Sequence, residues 1–233
     1  MQFGFQNPFR DKSAGATTLA LTVAFNCAER GGDSILGQLD RIAARANTNT
    51  AEGISALCAD TSLMLLRRSD QWISCCGIAD YKGRDEDALS AFDRLIVREA
   101  AKFDDRSAGA TVDAALCAAG IGASTRGKPT IAVVCIVGCL AGDREEAVTG
   151  SLQGDAGRFR DALQELAAAG NGAGEVLAFE LLWVPAEDEE TIEMDDVLLD
   201  WPDLMPCYLR HRNQEQFPNY GLVVLGSLHS ESK

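Results

Sequence analysis

The stretch Val176–Pro185, VLAFELLWVP, constrains the fold more than any other, because bulky apolar side chains alternate along it up to a proline stop. Leu177, Phe179, Leu181 and Trp183 fall on one face of an extended chain. Val176, Ala178, Glu180, Leu182 and Val184 fall on the other. A period of two with this bulk is the pattern of a β-strand. The first face predicts packing against helices, whereas Glu180 marks the second as more open. Pro185 has no N–H to give to a ladder and ends the pairing. Burial of such side chains stabilises by roughly 1.5–3 kcal/mol each, so a face of this kind forms a principal part of the core.

The same logic applies along the chain. Thr17–Phe25 alternates, with Leu19, Leu21, Val23 and Phe25 on one side and Thr18, Ala20, Thr22 and Ala24 on the other, and predicts a first strand. Gly31-Gly32-Asp33 breaks it. Ile35, Leu36, Leu39, Ile42, Ala43 and Ala46 then recur at helical spacing. Asn49 with Glu52 resembles a capping box for a second helix, whose stripe is Ile54, Leu57, Cys58, Thr61 and Leu65. Gln71–Ala79 predicts a second strand with Trp72 at its start. Asp85, Glu86 and Asp87 suit the N-terminus of a third helix striped by Leu89, Phe92, Ile96 and Phe103.

From Arg106 to Lys128 the composition shifts to Ala, Gly, Ser and Thr, predicting an insertion with a short helix over Ala114–Ala119. Thr130–Leu140 is apolar on both faces and predicts a mid-sheet strand covered on both sides. Asp143–Gly154 forms a polar connection. Phe159, Ala162, Leu163 and Leu166 mark a fourth helix closed by Gly170, and Asp195–Leu199 a short one. The expected architecture is α+β: a four-stranded, largely antiparallel sheet with four main helices packed on it, its strand order left open. Residues 1–16 form an N-terminal arm, 17–204 a single domain carrying the 106–128 insertion, and 205–233 a C-terminal extension.

The 233 residues carry a formal net charge of −14. Such a field repels nucleic-acid phosphates and anionic lipid headgroups, so nucleic acid is excluded as a partner class. No apolar run approaches the ~20 residues of a membrane-spanning helix. Eight cysteines invite a disulfide framework, but their spacing opposes one. Cys135 and Cys139 lie about 13 Å apart on one strand face at ~3.3 Å per residue, and Cys75 and Cys76 point to opposite faces. Buried, reduced thiols are the expectation, with Cys117 or Cys207 as the places for a regulatory thiol.

Several segments together resemble the domain-of-unknown-function 1517 family of cyanobacteria and chloroplasts, whose plant members include a fluctuating-light acclimation protein. The residues that carry the resemblance are Leu39-Asp40-Arg41-Ile42-Ala43, Asn47-Thr48-Asn49-Thr50 before Glu52-Gly53, Leu65-Leu66-Arg67, Trp72, Trp183-Val184-Pro185 and Pro202-Asp203-Leu204. It runs from Thr17 to Leu204, interrupted by the Ala/Gly-rich insertion. It implies a chloroplast setting, stromal or thylakoid-associated, with cytoplasmic as the alternative. It implies no catalytic residue. A glycine-rich membrane-spanning segment is usual upstream in the family, and these residues contain none.

Candidate chemistry is sparse. Histidine occurs only at His211 and His229, and no P-loop is present. Gly170-Asn171-Gly172-Ala173-Gly174 precedes a strand, whereas a dinucleotide fingerprint follows one, so it reads as a turn. Glu187-Asp188-Glu189-Glu190 with Glu193, Asp195 and Asp196 lacks the ordered spacing of a calcium loop and reads as a solvated acidic connection. Asp40, Arg41 and Arg67 suggest a polar cluster or an ordinary ion pair. Trp183 belongs to the core, while Trp72, Trp201, Pro202 and Asp203 are the candidate partner-binding residues. The leading expectation is a non-enzymatic regulatory or protein-interaction domain with an unidentified protein partner and no cofactor. The alternatives are an enzyme whose thiol or carboxylate site is assembled only by folding, and a structural subunit of a larger photosynthetic complex.

Overall fold

The computed structural model describes residues 15–118, 128–146, 152–185 and 190–208, with backbone alone over 104–118. The strands are β1 (Ala16–Cys27), β2 (Trp72–Lys82), β3 (Thr130–Ala141), β4 (Val176–Val184) and the short β5 (Met205–Pro206). The helices are α1 (Ile35–Arg45), α2 (Ala51–Arg67), α3 (Asp85–Ala118), α4 (Ala156–Asn171) and α5 (Met194–Asp200). One sheet in the order β4-β3-β1-β2-β5 holds the five strands of the described residues. Every neighbouring pair is antiparallel.

Side-chain size on β1 explains how the two faces are covered. Leu19, Leu21, Val23 and Phe25 form a core with Leu39 of α1, Ile54, Cys58 and Leu65 of α2, and Phe159, Leu163 and Leu166 of α4. The opposite face of β1 carries Ala16, Ala20 and Ala24, with Thr18 and Thr22 between them. These small residues let α3 lie close, and the Thr18 hydroxyl donates to the Ala88 carbonyl at 2.8 Å. Phe92 and Phe103 of α3 then meet Val133, Val137 and Trp201. β3, flanked by strands and covered on both faces, is buried along almost its whole length, as its continuous apolar run requires.

Several expectations are revised. Among the described residues a fifth strand joins the predicted four, while the short helix expected over Asp195–Leu199 is present as α5 beside the four main helices. β4 does not keep strict alternation: the register with β3 shifts between Cys139 and Leu140, so Leu177 joins the core beneath α3 while Phe179 stays opposite it. A bulge of this kind adds a residue to one strand and reverses the facing of what precedes it. The second face of β4 is also less open than Glu180 implies, since Leu182 and Val184 pack into the α3 core. The α2 cap is Thr50, not Asn49; its side chain accepts from the Gly53 N–H at 3.0 Å.

α3 continues through 106–118 as one helix, because Ala-rich sequence favours helix and only Gly109 intervenes. Residues 119–127 of the expected insertion lie outside the described residues. Gly170 does not close α4, which ends at Asn171 with Gly172 as its C-cap. Gly170 instead faces α2: a Cβ there would sit 2.7 Å from Ser55 O and Ala59 N. Its missing side chain sets how closely the two helices approach.

Candidate functional site

At one end of the sheet β1 leaves the core, α2 ends and β2 enters, and these termini surround an open cleft of 870 Å³. The loop 28–34 forms one wall. Ser34 N–H donates to Gly31 O at 2.8 Å, and Ser34 Oγ caps α1 by accepting from Gly37 N–H at 3.2 Å. Gly37 is needed because Gly31 O and Gly32 Cα would lie 2.7 and 2.8 Å from any Cβ. Arg68, at the end of α2, donates to the Asp33 carbonyl, and Gln38 donates to the same oxygen at 3.2 Å. Outside the cleft, Arg30 ties this loop to the Lys128 carbonyl at 3.1 Å and to the Glu190 carbonyl.

The opposite wall is Trp72. Its ring meets Phe159 edge-on at 5.2 Å, and the Arg160 guanidinium lies 5.9 Å from its centroid. The lining carries Glu29, Asp33 and Asp70 against Arg68, so the cleft is acidic with one aromatic wall. Its single thiol, Cys27, donates to Glu29 O at 3.1 Å. Burial raises the Cys27 pKa above the ordinary thiol value, the nearby Arg30 only partly opposing it, so the thiol is protonated at neutral pH. The arrangement is suited to holding a polar or cationic group against an aromatic ring; it offers no activated nucleophile.

The sequence-derived partner residues do not form one surface. Trp72 lies on the first face of the sheet and Trp201 on the second. Trp201 is 2 % exposed and stacks edge-on to Phe103 at 5.3 Å, which makes it core. Pro202 and Asp203 are exposed beside it, and Asp203 lies 3.7 Å from Lys102. Lys102 in turn bonds the buried Glu99 at 2.8 Å. Trp183, expected in the core, is only partly buried because β4 is an edge strand. Arg41 pairs with Asp33 at 3.5 Å, without Arg67.

Glu193 and Asp196 form a reciprocal cap at the start of α5. Among the described residues no group of three or more His, Cys, Asp or Glu side chains is placed to hold a metal ion. His211, His229, residues 186–189 and the Cys117 side chain lie outside the described residues. The 28–34 loop, Arg68 and Asp70 carry no periodic signature that marks them in the sequence. Gly31-Gly32-Asp33-Ser34 between a strand and a helix is the local signal, and by itself it predicts only a break.

Fold and cleft together define a class: an antiparallel α+β domain, helices on both sheet faces, with an acidic cleft at one sheet end. The chain belongs to the protein family of unknown function DUF1517, whose model matches residues 15–207. It is 28% identical over 176 residues to protein FLAP1 homolog A of Synechocystis sp., covering 72% of this chain and 50% of that protein. It is 25% identical over 176 residues to FLUCTUATING-LIGHT-ACCLIMATION protein 1, chloroplastic, of Arabidopsis thaliana, covering 75% of this chain and 43% of that one. The chain thus spans about half the length of the curated relatives it matches. No solved structure matches it. Among the described residues no helix is long and apolar enough to cross a membrane.

Proposed function

We propose that this domain is a non-enzymatic binding module that acts in acclimation to changing light and engages a protein partner at the cleft beside Trp72. The observation that carries the reading is that two relatives aligned over most of this chain are both named for light acclimation. The site's chemistry supports it. Cys27 is held protonated, and the lining combines carboxylates with an aromatic wall, a combination suited to a cationic segment of a partner. A chloroplast, stromal or thylakoid-associated, is the proposed setting, by likeness to the chloroplastic Arabidopsis protein.

The test places residues 15–207 into the Synechocystis relative in exchange for the matching segment. Growth under fluctuating and constant light is then compared with that of the deletion strain. The exchange is expected to restore growth under fluctuating light. Asp70→Lys with Glu29→Lys, both surface changes, are expected to abolish that restoration at unchanged protein level. An exchanged protein that accumulates yet restores nothing, or a charge-reversed cleft that restores fully, overturns the proposal.

A further inference from the structure

β5 is the slightest attachment in the sheet, with Ser74 opposite Pro206 and Cys75 opposite Met205. One step beyond, the Cys207 N–H donates to the Ile73 carbonyl at 2.8 Å. This register sets Cys207 diagonally across from Cys75. Both belong to the core between the sheet and α4: Cys75 is fully buried, whereas Cys207 is half-buried and reachable from solvent. Both thiols are free.

We propose that Cys75 and Cys207 form a reversible disulfide that fastens β5 to the edge of the sheet. Among the described residues the geometry favours this pair over the cysteines that are nearest each other in sequence. Cys75 and Cys76 point to opposite faces, and Cys135 and Cys139 are separated along one strand. The two thiols also influence each other's ionisation. The interaction with Cys207, more than burial, raises the Cys75 pKa, and the interaction with Cys75 lowers that of Cys207 against the opposing effect of burial. The solvent-reachable sulfur is therefore the better nucleophile, and the buried one the resolving thiol.

The co-reactant is a disulfide, of a small molecule or a redox protein. The Cys207 thiolate attacks one of its sulfurs and expels the other as a thiolate. Cys75 then loses its proton, attacks the Cys207 sulfur and expels the second thiolate. In sum, one sulfur–sulfur bond breaks and one forms. The pair loses two electrons and two protons, and the donor leaves as two thiols.

Diagonal partners start with Cα atoms about 7–8 Å apart, beyond the ~6.8 Å of ordinary bridges, so closure draws Cys207 inward by roughly 1 Å. A two-residue strand offers little resistance. The move is passed on through Tyr208, whose N–H donates to Gly154 O at 2.8 Å and whose carbonyl accepts from Ala156 N–H at 3.0 Å, at the Asp155 cap of α4. The bridge thus couples redox state to the seating of β5 and Tyr208, whatever partner the cleft engages.

The test incubates the full chain in reduced and oxidised glutathione mixtures, quenches with acid, alkylates and maps peptides by mass spectrometry. The expected result is a Cys75–Cys207 linked peptide, lighter by two hydrogens, that returns to two alkylated thiols under excess dithiol. Cys207→Ser is expected to abolish it, and since that residue is half-buried at an edge, the variant should fold. Amide exchange at Met205–Tyr208 should slow on the order of tenfold on oxidation. A Cys207 that stops at a glutathione adduct, or a Cys75 that remains alkylatable after unfolding of the oxidised protein, overturns the proposal.

Discussion

Gly170→Ala tests how α2 and α4 are seated. By helix propensity alone the change should stabilise, since alanine exceeds glycine by up to about 1 kcal/mol in a helix. The tertiary contact predicts the opposite sign. The new Cβ would lie 2.7 Å from Ser55 O, 2.7 Å from Ala59 N and 2.8 Å from Ala59 Cβ. Ordinary carbon contacts need about 3.5–4.0 Å, so α2 and α4 must part by roughly 1 Å. Two of the three contacts are backbone atoms of a helix whose residues are buried there and cannot turn aside. Overpacking of this kind costs about 1–3 kcal/mol, leaving a net loss of up to about 2 kcal/mol after the propensity gain. For a domain of this size that lowers Tm by up to about 8 °C. Urea denaturation and thermal scans by circular dichroism read both quantities. Ala168→Gly, on the exposed face of the same helix, is the control and should cost up to about 1 kcal/mol. A Gly170→Ala protein more stable than the parent, by the amount helix propensity alone gives, refutes the α2–α4 contact.

Trp72→Phe should cost less than about 1 kcal/mol, because the edge-on contact with Phe159 can persist and an indole N–H with no partner among the described residues is removed; Trp72→Ala should cost about 3 kcal/mol or more by urea titration. Burial raises the Glu180 carboxyl pKa above its ordinary value. Its contribution to stability is fully present below the unfolded carboxylate range, ~4.3, and is lost as pH rises through the raised folded value. Glu180→Gln is therefore expected to exceed the parent in stability at pH 7 and to match it in acid. Burial also pushes Cys76 up to about 11, and Cys58 and Cys135 up to about 12. The same sign applies: stability should fall as pH rises from the unfolded thiol range, ~8.5, toward those values. At pH 8, iodoacetamide should label Cys207 well before Cys58 or Cys135.

The strands β1, β3 and β4 and the stripes of α2 and α4 were legible in the residues, because one-sided burial imposes a period that local backbone geometry fixes. What β4 does at Leu177 was not legible, since a bulge is decided by the register of β3 beside it. Gly170 looked like a helix end, for nothing local reveals that another helix lies against it. Trp201 looked like a surface anchor, and only the return of the chain beneath α3 makes it core.

The cleft follows the same division. Trp72 was identifiable as an aromatic residue at a strand start, but Arg68, Asp70 and the 28–34 loop acquire meaning only where the ends of β1, α2 and β2 converge. Cys75 and Cys207 are likewise ordinary cysteines until β5 pairs with β2. By itself the sequence determined which segments extend, which coil, which side of each avoids water, and the family to which the chain belongs. Tertiary structure decided which buried faces share a core and which side chains meet, because a face that must leave water is indifferent to its partner until shape and register exclude the rest.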